Sequence, residues 1–144
     1  MNAAFDMVDA LDAPLKERPL FPVEPKDRDP ASELDRQVSL DSLLRVVGPS
    51  ITSWAVVNAA KRGLKAQRQA KREGLTAGVF DKHYAWNHGL AFLEWKDGTG
   101  SLSQAQIDWG NLMHRLGFRV ACVRSAKFAH ALFVSWGAPV RAIS

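Results

Sequence analysis

The chain has 144 residues, and 47% of them are apolar, which is enough for one domain with a substantial core. No apolar run approaches the roughly 20 residues that a membrane span needs, and the first residues, MNAAFDMVDALDAP, lack the early lysine or arginine typical of a secretory signal. The single cysteine, Cys122, excludes an internal disulfide and favours a reducing, cytoplasmic location.

The formal net charge of +4 conceals a division along the chain. Residues 1–35 hold nine acidic and four basic residues, whereas residues 36–144 hold six acidic and fifteen basic residues. A folded part this basic favours a polyanionic partner, most simply nucleic acid. The alternative is that the charge serves solubility alone.

Residues 1–30 contain ERPLFPVEPKDRDP, in which prolines and charges dominate and no helical or strand period persists. This composition predicts a disordered or loosely attached acidic arm. The folded domain is therefore predicted to cover residues 31–144.

The first predicted elements are a helix and a strand. Ser32 fits a helix N-cap, four apolar residues then fall on one helical face, and Gly48-Pro49 ends the helix. The β-rich stretch ITSWAVV, residues 51–57, predicts a strand. The apolar face of the helix consists of Leu40, Leu43, Leu44 and Val47.

A basic helix is predicted next, in NAAKRGLKAQRQAKREG. Its cations recur with helical spacing on one face, and no acid that could neutralise them appears before Glu73. Contact with backbone phosphates is the functional interpretation, and a solvated face is the structural one. The cations on that face are Lys61, Lys65, Arg68 and Arg72.

The second half predicts a hairpin, a helix, a strand and a last helix. The hairpin strands cover residues 79–86 and 90–96, with turn-like NHG between them. Ser103 and Gln106 form a capping-box pattern at the start of the next helix, followed by a strand over 118–125 and a helix over 126–137. The order indicates an α/β fold with a mixed sheet, and the core face of the capped helix is expected to be Ala105, Trp109, Leu112 and Leu116.

The stretch LAFLEWK places two charges in an otherwise apolar strand. If the turn centres between Asn87 and His88, the residue numbers of each opposed pair add up to 175, so Asp81 faces Glu94. Glu94 and Lys96 share a strand face. A divalent cation between the carboxylates, with an ammonium beside it, is the minimum for metal-assisted phosphodiester hydrolysis. The alternative is an ion pair on a solvated face.

The segments EGLTAGVFD, LAFLEWK, GSLSQAQIDW, LGFRVACVRS and WGAPVR together resemble the VRR-NUC family of the PD-(D/E)xK nuclease superfamily. The resemblance covers about residues 31–144. It implies a restriction-endonuclease-like core, with a mixed β-sheet flanked by helices in the order αβ-α-ββαβα. It also implies Mg²⁺- or Mn²⁺-dependent cutting of DNA, in a manner similar to Holliday-junction resolvases, and a homodimer.

The resemblance also assigns roles to individual residues. Asp81, Glu94 and the backbone carbonyl of Trp95 would hold the metal, Lys96 would be the catalytic lysine, and Gln106 would lie near the site. A DNA-binding segment of the family matches VVNAAKR at three residues, namely Asn58, Lys61 and Arg62.

The chain departs from the family pattern at several positions. Phe80 replaces a proline before Asp81, and Val57, Ala59 and Ala60 replace a proline and two glycines. The acidic residue of the first helix has three candidates, namely Glu33, Asp35 and Asp41.

Two questions stay open at the level of sequence. Gln106 has two jobs that conflict, since its side chain either closes the capping box or points into the site. The aromatic residues Tyr84, Trp86 and Trp95 either pack in the hairpin or stack on bases. The competing function is a non-catalytic DNA-binding or scaffolding domain that keeps the nuclease fold; the complete Asp81, Glu94 and Lys96 set favours the nuclease.

Overall fold

The computed structural model of the protein describes residues 15–57 and 63–143. It has a four-stranded mixed sheet flanked by helices, which confirms the predicted mixed α/β class. The helices are α1 (Glu33–Val47), α2 (Leu64–Arg72), α3 (Gln104–Arg115) and α4 (Ala126–Ser135); the strands are β1 (Thr52–Ala55), β2 (Lys82–Trp86), β3 (Gly89–Trp95) and β4 (Arg119–Val123). No described helix is both long and apolar enough to cross a membrane.

The sheet has the strand order β1-β2-β3-β4. The first three strands are antiparallel neighbours, and β4 runs parallel to β3 after the crossover through α3. Residues Asn87 and His88 alone connect β2 to β3, and His88 takes the positive φ of 62° that this tight turn requires. The predicted register is confirmed, because Lys82 pairs with Leu93 and Trp86 pairs with Gly89.

Both faces of β3 are covered, so the charged strand lies at the centre of the fold. Helices α1 and α4 cover the face of Leu93 and Trp95, whereas α3 covers the face of Phe92. Ser32 caps α1 by accepting the Asp35 N–H at 3.1 Å. The predicted face of α1 is confirmed, since Leu40, Leu44 and Val47 are buried.

The predicted core face of α3 is confirmed at Trp109, which packs against Phe80 and Phe92, and is wrong at Ala105, Leu112 and Leu116. Leu112 and Leu116 are exposed, and the buried residues of this helix are Gln106, Gly110 and Asn111. The helix is rotated because Gly110 admits the rings of Phe21 and Phe80, which a Cβ at that position would meet at 2.5 and 2.8 Å. The ring contacts therefore outweigh the burial of two leucines.

Residues 15–32 are attached in turn to α3, to the outer edge of β4 and to the loop after β3. The Cys122 N–H donates to the Pro22 carbonyl, and the Glu24 N–H donates to the Cys122 carbonyl, both at 3.0 Å. Phe21 is only 4% exposed and packs in the core beneath α3. The predicted loose arm is thus attached over its described part, whereas residues 1–14 lie outside the described residues.

Buried polar side chains hold this segment in place. The side-chain Oδ1 of Asn111 accepts the Leu20 N–H at 2.8 Å, and its Nδ2 donates to the Arg18 backbone carbonyl at 2.9 Å. The buried Arg36 guanidinium pairs with Asp27 at 2.8 Å and donates to the Asp29 carbonyl at 2.7 Å. These contacts satisfy polar groups that would otherwise be buried without partners.

Phe21→Ala is expected to destabilise the protein by about 3–5 kcal/mol, because it empties a ring-sized space in the core. The neighbouring variant Leu20→Ala is the matched control, since Leu20 is 51% exposed, and it should cost less than about 1 kcal/mol. Urea unfolding followed by circular dichroism measures both free energies. Equal costs for the two variants would show that the segment is not part of the core.

Candidate active site

Asp81 and Glu94 meet at the end of the β2–β3 hairpin. The observed register continues by one residue beyond β2 and sets Asp81 across from Glu94. The Asp81 N–H donates to Glu94 Oε2 at 3.2 Å, and the Trp95 N–H lies 3.4 Å from Asp81 Oδ1. The structure therefore brings together the two carboxylates that the sequence placed opposite each other.

The segment before Asp81 is fixed from both sides. Gly78 has a φ of 81° and lies so close to α3 that a Cβ would be 2.2 Å from the Ala105 carbonyl oxygen, so only glycine fits there. Phe80 is fully buried against Phe21 and Trp109. The Phe80 ring thus anchors the backbone that presents Asp81.

Glu94 is an ionisable group in the core. Its exposed fraction is 2%, and burial, followed by the nearby charge of Asp81, raises its pKa to about 8 against the opposing effect of Lys96. The Lys96 Nζ lies 3.8 Å from Glu94 Oε1. The Lys96 ammonium thus faces the Glu94 carboxyl group, which itself lies beside Asp81.

Gln106 performs both of its predicted jobs at once, so the expected conflict was wrong. Its Oε1 accepts the Ser103 N–H at 2.9 Å while Ser103 Oγ accepts the Gln106 N–H at 3.1 Å, which completes the capping box. Its Nε2 donates to Glu94 Oε1. The two ends of one amide serve different partners, and the capping box fixes which end faces Glu94.

These groups could hold a divalent cation. In the part of the chain that the structure describes, no cluster of three or more His, Cys, Asp or Glu side chains suits a metal, so Asp81 and Glu94 would be the only carboxylate ligands. The Trp95 N–H and carbonyl point to the same neighbouring strand, which puts the carbonyl on the side of Asp81. Two carboxylates, one carbonyl and water are a donor set that Mg²⁺ accepts.

The three candidate acids of the first helix lie in different places. Glu33 and Asp35 are in the first turn of α1, far along the helix from Asp41. Asp41 pairs with Lys82 at 3.4 Å, next to Asp81 in the chain. Of these three described residues, Asp41 is the one that an ion pair joins to the hairpin, and that pair lies on the α1 side of the sheet.

The predicted nucleic-acid residues are only partly described. Lys65, Arg68 and Arg72 lie exposed on α2, and no salt bridge within residues 63–143 neutralises them. Asn58, Lys61 and Arg62 lie outside the described residues. The described part of the basic face is therefore open to solvent.

The contacts of His83 and of the hairpin aromatic residues show where each of them lies. Burial lowers the pKa of His83, and its Nε2 lies 3.0 Å from the Phe80 carbonyl oxygen, which accepts a hydrogen bond from it. Trp95 and Tyr84 are fully buried, and the Trp95 Nε1–H donates a hydrogen bond to the Tyr84 hydroxyl, so neither ring is accessible to a base. Trp86 is partly buried and lies under the Arg119 guanidinium at 5.5 Å.

Sequence reasoning missed Trp54, which is 45% exposed on β1 and touches His83. Its position inside an apolar strand gave no signal, because exposure of an edge strand depends on which strands flank it.

Comparison with known proteins gives no family: no family model, no curated protein and no solved structure matches the chain.

Proposed function

We propose that the protein is a divalent-metal-dependent endonuclease that hydrolyses phosphodiester bonds in DNA, with branched or structured DNA as its substrate. One observation carries the proposal: the buried Glu94 carboxyl group lies next to Asp81, and the Lys96 Nζ lies 3.8 Å from Glu94 Oε1. A purely structural pair of carboxyl groups there would be unfavourable. The restriction-endonuclease-like fold and the VRR-NUC resemblance belong to the same proposal.

Asp81, Glu94 and the Trp95 carbonyl would hold Mg²⁺ or Mn²⁺. When bound, such a cation lowers the pKa of water and stabilises negative charge on phosphate oxygens. The Asp81 N–H and the Gln106 amide hold one oxygen each of the Glu94 carboxylate, so its orientation is set before any ligand arrives. A carboxylate oxygen has two lone pairs, and one hydrogen bond leaves the other available.

Lys96 would act on the reacting phosphate. Its ammonium is positioned by Glu94 and is partly exposed, with 16% of its side chain accessible, so it can reach a group arriving from solvent. There it would orient the attacking water and stabilise the extra negative charge of the transition state. Hydrolysis adds water across one P–O bond, leaving a phosphate on one fragment and a hydroxyl on the other.

The experiment that tests the proposal uses the full chain with a four-way junction and a linear duplex. Each DNA is incubated with Mg²⁺, with Mn²⁺ and with a chelator. Cutting that needs metal and favours the junction supports the proposal. Tight binding of both DNAs without any cutting supports the non-catalytic DNA-binding alternative instead. The homodimer stays an expectation that a mass measurement in solution would decide.

The basic face of α2 is proposed to hold the DNA backbone. Changing Lys65, Arg68 and Arg72 together to glutamine should lower the slope of log affinity against log salt by about 2–3, since each phosphate contact contributes about 0.9. The matched control removes the same charge from exposed cations elsewhere, namely Lys16, Arg45 and Lys127. Titrations at several salt concentrations measure both slopes. An equal change in the two variants would remove α2 from the interface.

A further inference from the structure

Trp54 is an exposed aromatic residue on β1, the end strand of the described sheet. Strand β1 is exposed along its whole length, and Trp54 keeps 45% of its surface accessible. Of the three hairpin aromatic residues considered for stacking from the sequence, Tyr84 and Trp95 are fully buried. A tryptophan left this open on an edge strand has apolar surface available to a ligand.

The Trp54 ring is supported by His83 and keeps much of its surface accessible. Trp54 pairs directly with His83 across the β1–β2 ladder, and the two rings meet edge-to-face at 5.9 Å and 72°. His83 is itself stacked on Trp109 at 6.3 Å and 8° and fixed to the Phe80 carbonyl. The fixed His83 ring therefore supports the indole, while 45% of the Trp54 surface stays accessible.

Trp54 lies on the same face of the sheet as the candidate active site. Trp54 and His83 are opposed, and Asp81 is two residues from His83 on that face. The Val56 N–H donates to the Asp81 carbonyl at 2.8 Å, so the ladder continues to the site. From strand spacing and rise, the Cα atoms of Trp54 and Asp81 are roughly 8 Å apart, a separation that one nucleotide can bridge.

We propose that Trp54, supported by His83, stacks on an unpaired nucleobase whose neighbouring phosphate lies at Asp81 and Glu94. This deepens the proposed function, on which it rests, by naming the substrate feature that is recognised: a base that is not paired, as at a branch or a mismatch. Stacking on an aromatic ring is tolerant of base identity because every base has a π-face. A base inside a continuous duplex presents no such face to the protein.

The test is a binding comparison with the full chain in the presence of a chelator, so that nothing is cut. Two labelled DNAs are used: a fully paired duplex, and the same duplex with unpaired thymines at its centre. Wild type should bind the second more tightly. Trp54→Ala should weaken binding to that DNA by roughly 5- to 150-fold and change binding to the paired duplex by less than about twofold, whereas Trp54→Phe should keep most of the preference.

The matched control is Phe118→Ala, which removes an exposed aromatic residue beside the opposite end of β3 and should leave the preference unchanged. Equal affinity of wild type for the two DNAs, or an equal loss on both in Trp54→Ala, would overturn the proposal. Because no step of this test needs cutting, failure of the nuclease proposal shows separately, as an absence of cleavage with Mg²⁺ or Mn²⁺.

Discussion

Glu94→Gln is expected to abolish metal-dependent cutting of DNA while the fold and the DNA affinity are kept. The change preserves the shape of the side chain and removes the charge that a cation would need, so the rate should fall by at least about a hundredfold to a thousandfold. Initial rates of cleavage of a labelled junction in Mg²⁺ measure the effect. Lys96→Ala should give a loss of similar size.

The control for this experiment is Glu73→Gln, which makes the same chemical change at an exposed residue just after α2. It should cut at the wild-type rate. If Glu94→Gln cuts as fast as Glu73→Gln, the hairpin carboxylates are not the active site. Circular dichroism and binding in chelator confirm that any loss concerns the chemistry and not the fold.

In the absence of metal, the stability of the protein is expected to fall as the pH rises from 5 to 9. The pKa of Glu94 is raised from 4.5 to about 8 by burial and by Asp81, so the folded state keeps a proton that the unfolded state has lost. Stability from this group is full below pH 4.5 and is lost as the pH passes 8, by a few kcal/mol. Thermal unfolding in chelator at several pH values measures the decline.

Two comparisons separate Glu94 from other causes of this decline. Glu94→Gln should be less sensitive to pH over the same range, because a neutral amide stays neutral. Mg²⁺ should stabilise wild type more at pH 9 than at pH 5, since the cation competes with the proton for the carboxylates. If the stability of wild type depends on pH as little as that of Glu94→Gln, the raised pKa of Glu94 beside Asp81 would be contradicted.

The hairpin site was predictable because its geometry is local. A two-residue turn fixes the register, so opposed residues follow from adding their numbers, and Asp81 came opposite Glu94 as expected. The capping box at Ser103 was equally local. Neither feature depends on where distant parts of the chain lie.

Features set by distant contacts were not predictable. The rotation of α3 depends on Phe21, which lies some ninety positions away from Gly110 in the chain and shows no periodic pattern. Composition marked residues 15–30 as a loose arm, although single residues such as Phe21 and Glu24 attach the segment to the sheet. The double role of the Gln106 amide was also not predictable. It depends on Glu94 lying within reach of the amide nitrogen while the amide oxygen accepts the Ser103 N–H, and that arrangement is set by the packing of α3 on β3.

Sequence also cannot show the solvent exposure of an edge strand. Trp54 sits in an apolar run that suits a buried strand, but β1 has a neighbour on only one side among the described residues. The cytoplasmic location and the domain boundary at residue 31 stay predictions. The basic helix formed where the pattern placed it over Leu64–Arg72, while its earlier cations lie outside the described residues.

The attachment of residues 15–32 to the rest of the domain has a practical meaning for work with shortened proteins. A fragment that begins at residue 31, where composition changes, would lose the ring of Phe21 and bare the outer edge of β4 at Cys122. Bared edges recruit other chains, and such a fragment would aggregate or misassociate, and would report falsely on activity. Shortened versions of the protein should therefore keep residues 15–32.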